Sequence, residues 1–325
     1  MPSLTDGFGR RFRYLRLSVT EVCNYRCTYC LPDGYRKSGP ASFLDVAEIR
    51  RLCEAFAGLG VGKVRLTGGE PSVRRDLGRI IEAVSSVPKI GKVALTTNGW
   101  NLKRNIAGWR AAGLTNLNVS IDTLEREGFA RLTGHDRLVS TIDGVDAALE
   151  TGVPVVKVNA VLLRDTASGV FDEFARFVKD RPVSVRFIEL MRTGDNADYF
   201  ARQHVSGQVL ADWLHVNGWS PVPREADGGP ASEYAHPDHA GRIGLIAPYA
   251  PGFCDGCNRL RVTARGKLRL CLFGEGGVDL RDLLGRDEPE ALRRRIASAL
   301  GEKPAGHRLA EGLSGGMRRL AEVGG

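Results

Sequence analysis

Short apolar runs alternate with longer amphipathic segments along the first 190 residues of the chain. Six runs of β-branched and other apolar residues end in small or polar residues, at 14–20, 63–69, 92–99, 116–122, 155–162 and 184–190. Between them lie segments such as 44–60 and 138–152, whose apolar residues recur with helical period. Strand–helix alternation repeated in this way predicts an α/β fold with a parallel sheet and right-handed crossovers.

Six strand–helix units leave two architectures open. They are fewer than the eight of a closed (β/α) barrel, so the sequence allows an incomplete (β/α)6 TIM-like barrel or an open doubly wound sheet. In both, ligands bind at the carboxyl ends of the strands. Polar residues lie in or just after the proposed strands, among them Ser18, Glu70, Thr97, Asn98 and Asp122. We expect several of them to meet at one mouth of the sheet.

The pattern changes after residue 200. Residues 204–219 predict a short helix, and the Pro- and Gly-rich stretch 221–241 predicts a loop in which HPDH (236–239) forms a surface turn. A cysteine-containing segment and two helical stretches follow. We therefore expect a partial barrel in residues 1–200 and a smaller C-terminal region in residues 201–325.

Composition excludes several classes of protein. The chain has 325 residues and a net charge of +8, with 42% hydrophobic and 26% charged residues, which is ordinary globular usage. No apolar run approaches the ~18 residues that a membrane helix needs, and the N-terminus lacks the apolar core of a secretion signal. We expect a cytoplasmic protein without a membrane partner. The basic balance suits an anionic ligand or simply favours solubility, and there is no Lys/Arg block typical of a nucleic-acid-binding tail.

Six of the seven cysteines form two groups of three. The first group is C-x₃-C-x₂-C after the first strand, at Cys23, Cys27 and Cys30. Three thiolates can hold three corners of an iron–sulfur cubane and leave one iron open. A closed zinc site would need a fourth Cys or His, and no histidine lies within 100 residues of this group. Cys53 stands alone in a helical stretch and is predicted to be a small buried hydrophobe.

The second group is Cys254, Cys257 and Cys271. A second cluster with an open iron and a zinc site are both possible here, because His236, His239 or His307 could supply a fourth zinc ligand. The intervening segment is dense in cations. If it forms a strand, Arg259 and Arg261 share one face and suit bidentate phosphate binding, whereas a solvated edge strand is the alternative.

The first cysteine group, with Gly68-Gly69-Glu70-Pro71 after the second strand, resembles the radical S-adenosylmethionine (SAM) superfamily. The resemblance implies a [4Fe–4S] cluster held by Cys23, Cys27 and Cys30, whose open iron binds SAM and whose electron generates a 5′-deoxyadenosyl radical. It also implies a set of SAM-binding residues: Tyr29, Gly69, Glu70, Ser120 and Met191.

The order of motifs along nearly the whole chain is similar to that of the GTP 3′,8-cyclase family of molybdenum-cofactor biosynthesis. These motifs are LRLSVT, RLTGGEP, LTTNG, NVSID, VKVN, RFIE and CNRLRVTARGKLRLCLF. The resemblance implies a lyase that converts GTP to (8S)-3′,8-cyclo-7,8-dihydroguanosine 5′-triphosphate, with a second [4Fe–4S] cluster at Cys254, Cys257 and Cys271. It implies GTP contacts from Arg16, Arg65, Thr96, Lys157, Arg259 and Arg261, with Lys63 and Arg186 as weaker candidates. It implies no catalytic residue beyond the cluster ligands.

The same resemblance implies partners. They are an electron donor, a second copy in a homodimer, and MoaC, the enzyme that receives the product. The terminal Gly324-Gly325 would reach toward the active site, helped by Arg318 or Arg319. Two other functions stay open: a radical SAM enzyme acting on a peptide or another nucleotide, and a non-catalytic zinc or iron–sulfur protein that binds nucleic acid.

Overall fold

A computed structural model describes residues 4–37, 42–224, 228–286 and 288–317. Gly324, Gly325, Arg318 and Arg319 lie outside these residues, so their proposed part in the active site stays a prediction.

The six predicted strands are present in the predicted order. They are β1 (Tyr14–Thr20), β2 (Lys63–Gly68), β3 (Lys92–Thr97), β4 (Asn116–Ser120), β5 (Val155–Leu162) and β6 (Ser184–Glu189). Each pairs in parallel with the next. Most of their residues are buried, as expected when helices cover the outer face of a sheet whose inner face is enclosed by the barrel.

Six further strands extend this sheet at both edges. They are β7 (Ser220–Val222), β8 (Ser232–Ala235), β9 (Arg242–Ile246), β10 (Arg259–Val262), β11 (Lys267–Arg269) and β12 (Val278–Asp279). β10 pairs in parallel with β1 and β9 pairs in parallel with β6, while the outer strands pair antiparallel. In the part of the chain that the structure describes, the strand order runs linearly from β12 to β7. The incomplete barrel is thereby confirmed.

The prediction of a loop over 221–241 is wrong in part. This stretch contains the end of β7 and all of β8, which pairs with both β7 and β9. Pro221 is tolerated because β7 is the edge strand, where a missing N–H costs no ladder hydrogen bond. The turn at 236–239 is confirmed, and both histidine rings pack on Trp219, with centroids 5.4 and 4.8 Å from its ring.

Helices connect and cover the strands. They are α1 (Val46–Gly58), α2 (Leu77–Ser85), α3 (Leu102–Ala111), α4 (Arg126–Thr133), α5 (Leu138–Glu150), α6 (Ala167–Lys179, with a break at Ser168 and Gly169), α7 (Ala197–Gln203), α8 (Gln208–Val216), α9 (Arg281–Leu284) and α10 (Pro289–Leu300). Helix α1 packs against α2 and α10, so the last helix joins the same outer layer. Within the described ranges, none of the helices has both the length and the apolarity that crossing a bilayer requires.

A capping box begins α1. The Asp45 carboxylate accepts a hydrogen bond from the Glu48 backbone N–H, and the Glu48 carboxylate accepts one from the Asp45 N–H, both at 2.8 Å. This start sets the phase in which Leu52, Cys53 and Phe56 face the core with no solvent exposure. The prediction that Cys53 is a buried hydrophobe is confirmed.

We expect Cys53→Ala to lower the free energy of unfolding by about 1 kcal/mol, because it removes a fully buried sulfur and leaves a small cavity. A thermal melt followed by circular dichroism should show a melting temperature lowered by a few degrees. Val139→Ala, at a position on α5 that is 64% exposed, is the control and should change little. A melting temperature that Cys53→Ala leaves unchanged would contradict tight packing at this site.

Candidate active site

The first cysteine group lies in the loop that follows the carboxyl end of β1. Backbone hydrogen bonds fix the loop: the Cys30 N–H donates to the Cys27 carbonyl at 2.9 Å, and the Arg26 and Thr28 N–H groups donate to the carbonyls of Thr133 and Leu132. The loop is therefore anchored on the end of α4. Its three cysteines are half-buried free thiols.

The environment of these thiols disfavours bare negative charge. Burial raises the pKa of Cys23 to about 11, and Glu70 adds to the effect. Burial also raises the pKa of Cys27, with further contributions from Asp122, Cys30 and Cys23. Since Cys30 and Cys23 both raise the pKa of Cys27, their sulfurs lie near the Cys27 sulfur. A cationic metal cluster would stabilise the thiolates there, so this donor set fits an iron–sulfur cluster.

The Gly-Gly-Glu element is built against the cysteine loop. Gly68 adopts a φ of +144°, and a Cβ at Gly69 would lie 2.3 Å from the carbonyl oxygen of Val22. The backbone N–H groups of Gly69 and Glu70 donate to the carbonyls of Thr20 and Val22, at 3.0 and 2.8 Å. Glycine is required at these positions because any side chain would push the cysteine loop away.

Glu70 is a buried carboxylate at the mouth of the barrel, 1% exposed. It accepts hydrogen bonds from the Thr97 hydroxyl at 2.7 Å and from the backbone N–H groups of Asn98 and Ser72, at 2.6 and 2.8 Å. Burial raises the pKa of Glu70, and these hydrogen bonds oppose the rise. A carboxylate in this setting is suited to an ammonium group.

Tyr29 and Asp122 meet at the same mouth. The Tyr29 hydroxyl donates to Asp122 Oδ2 at 2.9 Å, and the Val161 N–H donates to Oδ1 at 2.8 Å. Burial raises the pKa of Asp122 to about 6. Ser120 ends β4 beside Asn159 of β5. The polar residues expected to converge at the carboxyl ends are thus brought together by the fold.

A cavity of about 870 Å³ occupies the interior of the barrel. Met191, after β6, lines it near the carboxyl ends of the strands, while Lys63, Lys92 and Ser184 line it at the amino ends. The cavity therefore extends from the carboxyl ends of the strands to their amino ends. The open barrel is wide enough for the cavity to continue along the strands.

Positive charge dominates the cavity. Among the described residues, eleven cationic side chains line it: Arg16, Lys63, Arg65, Lys92, Lys157, Arg186, Arg224, Arg242, Arg259, Arg261 and Lys303. They include five of the six residues predicted to bind GTP and both weaker candidates. The sixth, Thr96, accepts a hydrogen bond from Arg65 Nη1 at 3.0 Å. Several of these cations lie within strands, because alternate residues of β1 and β2 point inward.

The second cysteine group lines the same cavity, beside the amino end of β10. The Cys257 N–H donates to the Cys254 carbonyl at 3.0 Å in the turn before β10. Strand β11 runs antiparallel to β10 and so returns the chain to that end, where Cys271 follows. The hairpin of β10 and β11 therefore accounts for the 13-residue spacing between Cys257 and Cys271.

Nearby cations favour a thiolate at Cys257. Burial would raise the pKa of this thiol, but Lys303 and Arg259 outweigh burial and lower it. Thiolates are the form that binds metal, so this donor set also fits a cluster. The His307 ring lines the cavity between Phe253 and Phe273, with centroid distances of 5.8 and 5.5 Å. Among the described residues, no three His, Cys, Asp or Glu side chains are arranged to hold a single metal ion, and both cluster assignments stay predictions.

Tyr14 is a cavity residue that sequence reasoning missed. Its hydroxyl accepts a hydrogen bond from Arg65 Nε, and Lys63 Nζ lies 4.9 Å from the ring centroid. Burial would raise the pKa of Tyr14, but Arg65, Arg16 and Lys63 outweigh burial and lower it to about 7. The alternation of Tyr14, Arg16 and Ser18 along β1 was the available signal.

The sequence profiles of two families match successive parts of the chain. The profile of the Radical SAM superfamily matches residues 17–178, and that of Molybdenum Cofactor Synthesis C matches residues 183–309. Two curated relatives are GTP 3′,8-cyclases from Stenotrophomonas maltophilia, strains K279a and R551-3. Each is 57% identical over 326 residues and aligns over the full length of both chains.

Solved structures share the fold at low identity. Streptococcus suis SuiB bound to S-adenosylmethionine superimposes with a TM-score of 0.59 at 16% identity, covering 88% of this chain and 65% of SuiB. The chain thus spans about two thirds of SuiB. The anSMEcpe enzyme with bound AdoMet and Cp18Cys peptide superimposes with a TM-score of 0.56 at 13% identity, covering 93% and 94% of the two chains.

Tyr14→Phe tests the charge balance of the cavity. A Tyr pKa lowered from 10 to about 7 adds stability that is complete above pH 10 and is lost as the pH falls through 7. The stability of wild type relative to Tyr14→Phe should therefore increase between pH 7 and pH 10, by a few kcal/mol as an order of magnitude. The measurements are melting temperature against pH and phenolate absorbance in the wild-type minus Tyr14→Phe difference spectrum. Titration of the difference band only near pH 10 would contradict the assignment.

Proposed function

This chain belongs to the GTP 3′,8-cyclase family, and on that premise we propose which of its residues hold the cofactors and the substrate. The activity itself follows from 57% identity to curated GTP 3′,8-cyclases over the full length of both chains. The protein is a radical SAM lyase of molybdenum-cofactor biosynthesis. It converts GTP to (8S)-3′,8-cyclo-7,8-dihydroguanosine 5′-triphosphate through abstraction of the ribose C3′ hydrogen and attack on guanine C8.

Membership of the radical SAM superfamily brings SAM and a [4Fe–4S] cluster, and we assign that cluster to Cys23, Cys27 and Cys30. When bound, the cluster supplies the electron that cleaves SAM to the 5′-deoxyadenosyl radical. The chain's own contribution is placement. The buried Glu70 carboxylate would bind the ammonium group of SAM, and Gly69 allows the backbone to approach it closely. Tyr29, Ser120 and Met191 would complete the SAM site.

We assign a second [4Fe–4S] cluster to Cys254, Cys257 and Cys271, with the guanine of GTP bound against it. Support comes from the hairpin that brings the three thiols to one wall of the cavity and from the cations that favour the Cys257 thiolate. Because this wall lies at the amino end of β10 and the first cysteine loop follows the carboxyl end of β1, GTP would lie between the two groups.

The triphosphate would be bound by Arg16, Arg65, Lys157, Arg259 and Arg261, with Thr96 orienting Arg65 through their hydrogen bond. Guanidinium groups offer paired donors that match phosphate oxygens. Their burial strengthens each contact, because water screens the charges less than at the surface. Exclusion of water also protects a carbon radical from side reactions.

The wider context is proposed on the same basis. Residues 1–200 would form the radical SAM part and residues 201–325 the region of the second cluster, which fits the boundary between the two profile matches. The seven free thiols suit a reducing cytoplasm. An electron donor would reduce the clusters, the product would pass to MoaC, and the enzyme would act as a homodimer.

Isotope transfer tests the reaction directly. The anaerobically reconstituted enzyme, given SAM, a reductant and GTP deuterated at ribose C3′, should yield deuterated 5′-deoxyadenosine and a new isomer of GTP by mass spectrometry. Undeuterated 5′-deoxyadenosine would remove GTP as the substrate. Absence of 5′-deoxyadenosine from cluster-loaded protein would favour a binding protein.

Cys271→Ala tests the second cluster. We expect about eight irons per chain in wild type and about four in the variant, since one of two cubanes is lost. Cyclisation of GTP should cease, while reductive cleavage of SAM continues at the first cluster. Cys53→Ala is the matched control because it removes a cysteine outside both groups, and it should keep full iron content. Eight irons with unaltered cyclisation in Cys271→Ala would show that this residue is not a ligand.

A further inference from the structure

Glu233 is the one carboxylate among the described residues that line the cavity. Its Oε1 accepts hydrogen bonds from Lys157 Nζ at 3.1 Å and from Arg186 Nε at 2.9 Å, and a further one from Arg186 Nη2. The Ser184 hydroxyl donates to the same oxygen at 3.0 Å, and Arg242 Nη1 lies 3.6 Å from Oε2. A single carboxylate thus joins Lys157, which we assign to the phosphate site, to Arg186, one of the weaker candidates for contacting GTP.

The sheet register creates this contact. Arg186 of β6 and Glu233 of β8 both pair with Gly244 of β9, which lies between them. A Cβ at Gly244 would stand 3.3 Å from Arg186 Cγ and 3.4 Å from Glu233 Cγ. Because this position has no side chain, the two residues meet across an intervening strand. The contact is therefore built into the sheet.

The contact is also largely withdrawn from solvent. The side chains of Lys157, Glu233 and Arg186 are 17, 15 and 11% exposed. Burial lowers the pKa of Lys157 to about 8, with Arg186 contributing, so the two cations repel each other. Burial opposes ionisation of Glu233, but Arg186 and Lys157 outweigh it and hold its pKa at about 2. The carboxylate is needed to offset the repulsion between the cations.

We propose that Glu233 is an internal competitor of the substrate, holding Lys157 and Arg186 until the phosphates of GTP displace it. The inference rests on the proposed GTP site and names its competing group. Arg186 binds Glu233 through Nε and Nη2, an edge that it would also offer to a phosphate. A phosphate and a carboxylate cannot share this edge without close contact between two anions. Nucleotide affinity is therefore lower than the cations alone would give, and only a strongly anionic ligand makes the exchange favourable.

Glu233→Gln separates competition from positioning. In isothermal titration of the anaerobically reconstituted enzyme, the variant should bind GTP and inorganic triphosphate about tenfold more tightly, the effect of about one charged hydrogen bond. Affinity for guanosine, which carries no phosphate, should be unchanged. The melting temperature of the variant without ligand should fall, because two buried cations lose their counter-ion.

Two further variants secure the test. Ser184→Ala keeps every charge and removes one hydrogen bond to Glu233, so it should fold normally and tighten triphosphate binding by about two- to fivefold. Asp146→Asn is the control for net charge, because Asp146 pairs with Arg181 at 2.8 Å outside the cavity lining. It should leave all three affinities unchanged.

The possible outcomes distinguish failure of the inference from failure of the proposed GTP site. Wild-type enzyme that binds no GTP would overturn the proposed site and the inference together. Wild-type enzyme that binds GTP, with Glu233→Gln and Ser184→Ala binding triphosphate no more tightly, would overturn the inference alone. Weaker triphosphate binding by Glu233→Gln would make Glu233 a positioning residue. An equal gain for guanosine would indicate general loosening of the cavity and would also overturn competition.

Discussion

The positive charge that is buried in the cavity is the constraint on which the site depends. Each cation withdrawn from water costs several kcal/mol unless an anion or hydrogen-bond acceptor compensates. The cavity supplies anions or hydrogen-bond acceptors to several of these cations. The Tyr14 hydroxyl accepts a hydrogen bond from Arg65, the Glu233 carboxylate pairs with Lys157 and Arg186, and Lys303 and Arg259 lower the pKa of the Cys257 thiol. The interior thus carries an excess of buried positive charge, which suits a polyanionic ligand.

The topology explains why two cysteine groups distant in sequence can serve one cavity. Strands β1 and β10 are neighbours and run parallel, so the loop after β1 and the turn before β10 lie at opposite ends of the pair. The hairpin of β10 and β11 returns Cys271 to the second of these ends. Arg16 and Arg261, in register on the two strands, occupy the wall between the ends. A substrate spanning this wall would reach both groups.

The sequence predicted the bounds of strands β1–β6 closely, whereas it predicted strands β7–β12 poorly. β1 and β5 begin and end where the apolar runs do, while the predicted ends at Gly69, Gly99 and Asp122 lie one or two residues past the last ladder residue. β8 escaped prediction because four residues among Pro and Gly carry no periodic signal, and its partner strand supplies the stabilisation. The importance of Glu233 depends on register with Gly244 and Arg186, which no local pattern contains.

The fold itself does not identify a substrate, so the proposed site depends on the residues that point into the cavity. SuiB and anSMEcpe share the backbone arrangement at 16 and 13% identity, and superposition at that level carries no information on the interior side chains. Here Arg16, Arg65, Lys157, Arg186, Arg259 and Arg261 come from five different strands, each fixed by ladder hydrogen bonds on both sides. A cation held by the sheet loses little further conformational entropy when it binds phosphate. A carboxylate that competes at one end of the cavity is compatible with phosphate binding, because the sheet already holds the remaining cations in place.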